Sequence, residues 1–275
     1  MTALAANLSL SNHVALVTGS GRGLGRAIAD RLAEFGAAVA IHDVSATAPA
    51  EFGEAKDLAE VAAQIGAARG VRTTAVTGDI ASEGDVASFV ERVEATLGPI
   101  SILVNNAGGD IALRGGKPRP NTGMGIPLED VRAIFDRNLI GTMVVCRAVV
   151  ARMIERRRGS VVCVGSLAAH EGFTEGVAYA VAKAAVVHWA RCLAKEVRPA
   201  GVRVNVVSPG PTKTARFLVT REVDAAMMDE GASPLIRYGN PREVADAVAF
   251  LASDNANFIS GQVLRVDGGS QLSPA

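Results

Sequence analysis

Tyr179 and Lys183 stand four residues apart in VAYAVAKAAVVHWARCLAKEV (177–197), a run whose apolar spacing predicts a helix. On a helix, positions i and i+4 share one face. An ammonium beside a phenol stabilises the phenolate and draws its pKa down from about 10 toward neutrality. A phenol so tuned can give or take the proton of an alcohol or ketone. The same spacing also fits an ordinary exposed helical pair, so the pair needs company. TGSGRGLG (18–25) supplies it, between the apolar run VALVT (14–18) and the amphipathic run RAIADRLAEFG (26–36). The glycines run Gly19-xxx-Gly23-x-Gly25 and not GxGxxG, because Leu24 stands where that pattern needs its third glycine. Their use is the same: a tight turn, close approach of backbone to a pyrophosphate, and close packing of helix on strand.

Asp43 closes AAVAIHD (37–43), 18 residues beyond Gly25. A carboxylate there accepts from both hydroxyls of an adenosine ribose and repels a 2′-phosphate. Arg22, inside the glycine loop, would instead meet such a phosphate, and the neutral Val44 adds no second cation. A fixed carboxylate beside a phosphate dianion outweighs one flexible arginine. The expected cofactor is NAD, with NADP the less favoured.

The elements that must position these groups alternate from end to end. Strand-like runs VALVT, AAVAIHD, RTTAVTGD (72–79), ISILVNNAG (100–108), GSVVCVGS (159–166), VRVNVVSPG (202–210) and QVLRVDGG (262–269) are near-continuously apolar. Helical patterns fall between them at 26–36, 54–70, 83–97, 128–158, 177–197 and 241–252. Such alternation implies an α/β fold, a doubly wound parallel sheet of Rossmann type with helices on both faces. No solenoid repeat or linker interrupts it, so residues 1–275 are expected to form a single domain. Two segments break the rhythm: SATAPAEFG (45–53) after the second strand and GDIALRGGKPRPNTGMGI (109–126) after the fourth. Loops at the carboxyl ends of parallel strands are where such folds hold ligands, although both also fit tolerated surface insertions.

The chain has 275 residues, 49% hydrophobic and 4% aromatic, with 28 basic and 28 acidic side chains. The small-residue core suits helix-on-sheet packing, and zero net charge argues against a nucleic-acid partner. Cys146, Cys163 and Cys192 form no CxxC pair, which points to a reducing compartment, and no cluster has metal-ligand spacing. The N-terminus MTALAANLSLSNHVALV lacks an early basic residue and does not read as a signal peptide. No charge-free apolar run is long enough to span a bilayer, so a cytoplasmic location away from membranes is expected.

Taken together, these elements resemble the classical short-chain dehydrogenase/reductase family over nearly the whole chain. TGSGRGLG resembles the family's cofactor loop, with Gly19, Arg22, Gly23, Leu24 and Gly25. Asp79-Ile80 resembles its adenine-contacting pair. NNAG (105–108) resembles its sheet-stabilising motif, which brings Asn105, Ala107 and Gly108 to the cofactor side. Asn138 falls at the family's helix asparagine, and Ser166 lies 13 residues before Tyr179 as in the family. SPGPTKT (208–214) resembles the segment that holds the nicotinamide, through Pro209, Gly210, Thr212 and Thr214. Thr212 departs from the aliphatic residue common there, a change that a backbone contact would survive. DGG (267–269) resembles the terminal signature.

The resemblance implies roles. Tyr179 exchanges the substrate proton, and Lys183 lowers its pKa and binds the nicotinamide ribose. Ser166 polarises the reacting oxygen, and Asn138 holds a water that relays protons from Lys183. It also implies a cofactor part at about 13–110, a catalytic part at about 128–210 and a substrate lid at about 211–237. A homotetramer is implied as well, docked through helices 128–158 and 177–197, where Ala178, Ala182 and Ala185 would allow close approach.

The substrate is less legible. Phe217, Leu218, Met227 and Met228 of the lid could cover it or pack on the sheet. Arg114, Lys117 and Arg119 against Asp110 give the 109–126 segment a charge of +3 − 1 = +2, suited to an anionic substrate, to solubility or to a subunit contact. His170 is a pocket candidate or a loop histidine, while His188 and Trp189 read as packing or interface residues. The favoured activity is NAD-dependent interconversion of a secondary alcohol and its ketone, the alcohol being a sugar, polyol, alicyclic or related hydroxy compound. A 3-oxoacyl-thioester or other ketone reductase is the alternative. A non-catalytic dinucleotide-binding protein is a remote third, opposed by the complete set Asn138, Ser166, Tyr179 and Lys183.

Overall fold

The computed structural model describes residues 8–229, 231 and 233–272. The first seven residues of the N-terminal run read above lie outside the described residues, as do two positions of the lid. The strands are β1 (Val14–Val17), β2 (Ala38–Asp43), β3 (Thr73–Thr77), β4 (Ile102–Asn105), β5 (Gly159–Val164), β6 (Val202–Pro209) and β7 (Val263–Val266). They form one parallel sheet in the order β3-β2-β1-β4-β5-β6-β7. The chain winds outward from β1 to β3, then crosses back to β4 and winds the other way. The β1/β4 border is therefore the switch point, where a crevice opens at the carboxyl ends of the strands.

Helices cover both faces. On one side lie α1 (Gly23–Glu34), α2 (Leu58–Arg69) and α8 (Pro241–Ala252); on the other lie α3 (Glu83–Leu97), α5 (Gly141–Arg156) and α6 (Val177–Val197). Alternate strand residues feed the two layers. Leu103, Val161 and Val204 pack with Phe89, Val149 and Val186, whereas Ile102, Val104 and Val162 pack with Ile28, Leu32 and Val248. Burial on both faces is why the strands read as continuous apolar runs. Asp57 and Ser82 accept the Glu60 and Asp85 amides as N-caps of α2 and α3, and Asn240 and Glu243 form a capping box on α8. Helix α6, with its extension to Ala200, is long and apolar enough to cross a membrane by composition, yet it packs on the sheet and buries Lys183.

Two expectations need correction. The helix expected over 128–158 is interrupted: α4 (Leu128–Phe135) passes through a π turn at Asp136–Ile140 before α5 begins. Helical periodicity survives one extra residue, so the apolar pattern hides the break. The helix expected from residue 54 begins at Leu58, because Asp57 caps it. The 45–53 segment lies at the surface and carries a short 3₁₀ turn, Ala48–Phe52, with Ala48 and Pro49 buried.

Candidate active site

A cleft of about 1150 Å³ opens along the carboxyl edge of the sheet. Its first wall is the glycine loop. Ser20 N–H donates to the His42 carbonyl at 2.7 Å, and Ser20 Oγ accepts from His42 N–H at 3.0 Å, which ties the loop to β2. Gly19 has φ +63°, and a Cβ there would sit 2.8 Å from Ala107 Cα, so only glycine lets the loop lie against NNAG. His42 is buried and held well below its usual pKa, at about 4, by desolvation. Its Nε2 bonds to the Gly78 carbonyl at 3.1 Å, and Gly19 N–H donates to its Nδ1 at 3.4 Å. The neutral ring thereby joins the loop to the end of β3.

Gly19, Arg22, Gly23, Leu24, Gly25, Asp43, Asp79, Ile80, Ala107 and Gly108 all border the cleft, as expected. Burial raises the Asp43 carboxyl above its ordinary pKa, and the Arg22 charge pulls it back. Asn105 does not reach the cleft. It is buried behind the sheet, with Nδ2 on Cys146 Sγ at 3.1 Å. Its parity along β4 is that of Leu103, which faces the α3–α5 layer. The next residue takes its place: Asn106 lines the cleft and donates to the Thr18 and Gly19 carbonyls, both at 3.0 Å.

The second wall carries the chemistry. Ser166, Tyr179 and Lys183 border the same cleft. Ser166 follows β5 and accepts from Ala168 N–H at 3.1 Å, which fixes its hydroxyl at the strand end. Lys183 is 4% exposed, donates Nζ to the Val164 carbonyl at 2.8 Å, and is pulled down to about 8 by burial. Its Nζ is 5.8 Å from the centre of the Tyr179 ring. Burial pushes the Tyr179 phenol above its ordinary pKa. The groups that pull it down are the Ser166 hydroxyl and the charges of Arg221 and Arg216, two lid residues missing from the sequence reading, and the expected Lys183 ammonium is not among them.

Asn138 sits in the π turn and is fully buried. Its Oδ1 accepts from Gly109 N–H at 2.9 Å, and its Nδ2 donates to the Gly109 and Ile134 carbonyls at 3.0 and 2.8 Å. The side chain thus anchors the start of the 109–126 segment to the catalytic wall. That segment is tied further on: Asn121 donates to Asp110 at 2.7 Å, Arg137 to the Ile111 carbonyl at 2.8 Å, and Leu113 N–H to Asp130 at 2.8 Å.

Pro209, Gly210, Thr212 and Thr214 close the cleft beyond β6, and Thr214 caps α7 (Ala215–Thr220) by accepting from Phe217 N–H. Phe217 lines the cleft and meets Tyr238 edge to face at 5.0 Å. Arg216 also lines it, with Nη1 2.8 Å from where a Cβ on Gly109 would stand. Two substrate candidates fall elsewhere. His170 hydrogen-bonds Ser208 at 2.9 Å and is not in the cleft lining, and Arg114 is exposed off the cleft. Lys117 and Arg119 reach its rim. The cleft's size, the glycine loop packed along its wall and its ribose-side carboxylate fit a dinucleotide.

Comparison with known proteins agrees with this geometry. A family model described as enoyl-(acyl carrier protein) reductase matches residues 19–271. The cyclohexanol dehydrogenase of Rhodococcus sp. (strain TK6) is 35% identical over 275 residues, covering 96% of this chain and 97% of that one. The 3-oxoacyl-[acyl-carrier-protein] reductase of Escherichia coli (strain K12) is 34% identical, covering 96% and 100%. Among solved structures, a 7α-hydroxysteroid dehydrogenase complexed with NADH and 7-oxo glycochenodeoxycholic acid superposes with a TM-score of 0.82. It is 28% identical, with 98% of each chain covered.

Proposed function

Because the chain belongs to the classical short-chain dehydrogenase/reductase family, we propose that this oxidoreductase interconverts a secondary alcohol and its ketone with NAD as the hydride carrier. The observation that supports the reading is the sharing of one cleft by Ser166, Tyr179 and Lys183 on one wall and the glycine loop and Asp43 on the other. The bound nicotinamide would take the hydride from the carbinol carbon. Tyr179 Oη takes the hydroxyl proton of the alcohol, and Ser166 Oγ hydrogen-bonds the same oxygen as it becomes a carbonyl. Lys183 binds the nicotinamide ribose and keeps positive charge near the phenolate. Asn138 holds the π turn beside Lys183 and positions the water through which the proton leaves.

NAD is favoured over NADP because Asp43 stands at the end of β2, where a ribose 2′-phosphate would meet it. Secondary alcohols are favoured because cyclohexanol and 7α-hydroxysteroid dehydrogenases are among the similar proteins. A 3-oxoacyl-thioester or other ketone reductase is the second reading, supported by similarity to 3-oxoacyl-[acyl-carrier-protein] reductases. The test is NADH formation from NAD at mildly alkaline pH across pools of polyols, sugars, alicyclic alcohols and anionic hydroxy compounds. A signal lost in Tyr179→Phe is expected. Turnover confined to ketones with NADPH would overturn the reading.

A further inference from the structure

The segment after β2 does more than connect it to α2. Arg22 lays its guanidinium over the Phe52 ring at 4.9 Å, donates Nη1 to the Ala48 carbonyl at 2.9 Å, and forms an ion pair with the Glu51 carboxylate. Three residues beyond Glu51, Glu54 accepts the Gly23 amide with both oxygens, at 3.0 and 2.9 Å. Gly21 is hemmed in between: a Cβ there would stand 2.7 Å from Leu58, 3.0 Å from the Asp43 carboxylate and 3.1 Å from Pro49. The carboxylates of Asp43 and Glu54 border the end of the cleft where an adenosine ribose would lie, and Glu51 reaches it through Arg22, which lines the same end.

We propose that Glu51 is a cofactor-specificity residue acting through Arg22. The inference rests on the NAD reading and deepens it. Arg22 is the glycine-loop cation that a ribose 2′-phosphate would seek, but Glu51, Ala48 and Phe52 already hold it. A phosphate dianion arriving there would have to draw Arg22 off its internal anion. That would leave the Glu51 carboxylate unpaired beside the dianion and the Asp43 carboxylate. Attraction is withdrawn and repulsion added by one side chain, while the uncharged ribose hydroxyls of NAD make neither demand. Glu51 itself is exposed on a single 3₁₀ turn, with 62% of its side chain accessible, so truncating it leaves both core layers intact.

The experiment measures NADH and NADPH dissociation constants by cofactor fluorescence on the full chain. It compares wild type, Glu51→Gln, Glu51→Ala, Arg22→Ala and the Glu51→Ala/Arg22→Ala double variant. Wild type is expected to bind NADH more tightly. Glu51→Ala should improve NADPH binding relative to NADH by about tenfold, with Glu51→Gln between it and wild type because the amide still accepts from Arg22. Adding Arg22→Ala to Glu51→Ala should abolish that gain. An unchanged NADPH/NADH ratio in Glu51→Ala overturns the proposal while leaving the NAD reading intact. A gain that survives Arg22→Ala overturns the route through Arg22. Tighter NADPH than NADH binding by wild type overturns the NAD reading itself and, with it, this inference.

Discussion

Lys183 carries its charge into a place that resists it. Burial holds the ammonium at about 8, against about 10.4 for an unperturbed lysine. The folded state therefore binds its proton less readily than the unfolded chain. The resulting cost is fully present below about pH 8 and is relieved as pH rises through that value toward 10.4. A difference of more than two units is worth about 3 kcal/mol, and loss of the bond to the Val164 carbonyl offsets about 1 kcal/mol of any gain from removing the charge. Lys183→Met should thus stabilise the protein by about 2 kcal/mol at pH 7, an advantage that fades above pH 10, while oxidation of alcohols is lost. Urea unfolding at the two pH values checks it; a destabilised variant at pH 7 would mean that the ammonium is better solvated than its burial indicates. Tyr179, Ser166, Lys183 and Asp43 were legible because fixed spacing marks them. Asn105 was misplaced because adjacent strand residues point to opposite faces, and a motif does not say which of two neighbouring asparagines faces the ligand.

The elements least legible in the sequence are the ones that shape the substrate end. The π turn at Asp136–Ile140 hides inside a continuous helical pattern, and it is the turn that brings Asn138 to Gly109. The 109–126 segment reads as an insertion, and only its tertiary ties through Asp110, Ile111 and Leu113 show that it is pinned. The lid arginines Arg216 and Arg221 lie outside any motif, yet both influence the Tyr179 phenol. Lys117, Arg119, Arg137 and Lys183 line the same cleft, so with the two lid arginines its catalytic end gathers six cations beside the carboxylates of Asp110 and Glu175. A carboxylated alicyclic alcohol should therefore be preferred to its uncharged parent. Replacing Lys117 and Arg119 together with alanine should raise KM for the carboxylated compound about fivefold at low salt and leave the uncharged one unchanged. Arg114→Ala, off the cleft, should do neither. Equal KM values in wild type and the double variant would remove the rim from substrate binding.

At the scale of the molecule, the parallel sheet with helices on both faces followed from the alternation of apolar strands and helices, because a strand buried on both faces can be satisfied only within such a layered fold. What the chain buries against a second copy does not follow from that alternation. Ala178 and Ala182, expected to meet a partner helix, point inward: they are 6% and 0% exposed and pack with Ile134. The outward stripe of α6 is Val181, His188 and Cys192, with Ala185, the third of the expected small residues, half-buried among them at helical spacing and Val181 51% exposed. Ile140 and Ile154, at the two ends of the α5 stretch, are 40% and 41% exposed. Apolar side chains left to water along two long helices are what a self-complementary helix interface covers, and a two-fold axis would bring each stripe against its own copy. One such axis makes a dimer and a second axis makes the expected homotetramer, so the chain should sediment as at least a dimer. A carboxylate within such a stripe would be buried without a counter-ion in every copy, so Val181→Asp should sediment as a smaller species while its folded core persists. A wild-type monomer, or a Val181→Asp tetramer, would place the assembly surface elsewhere.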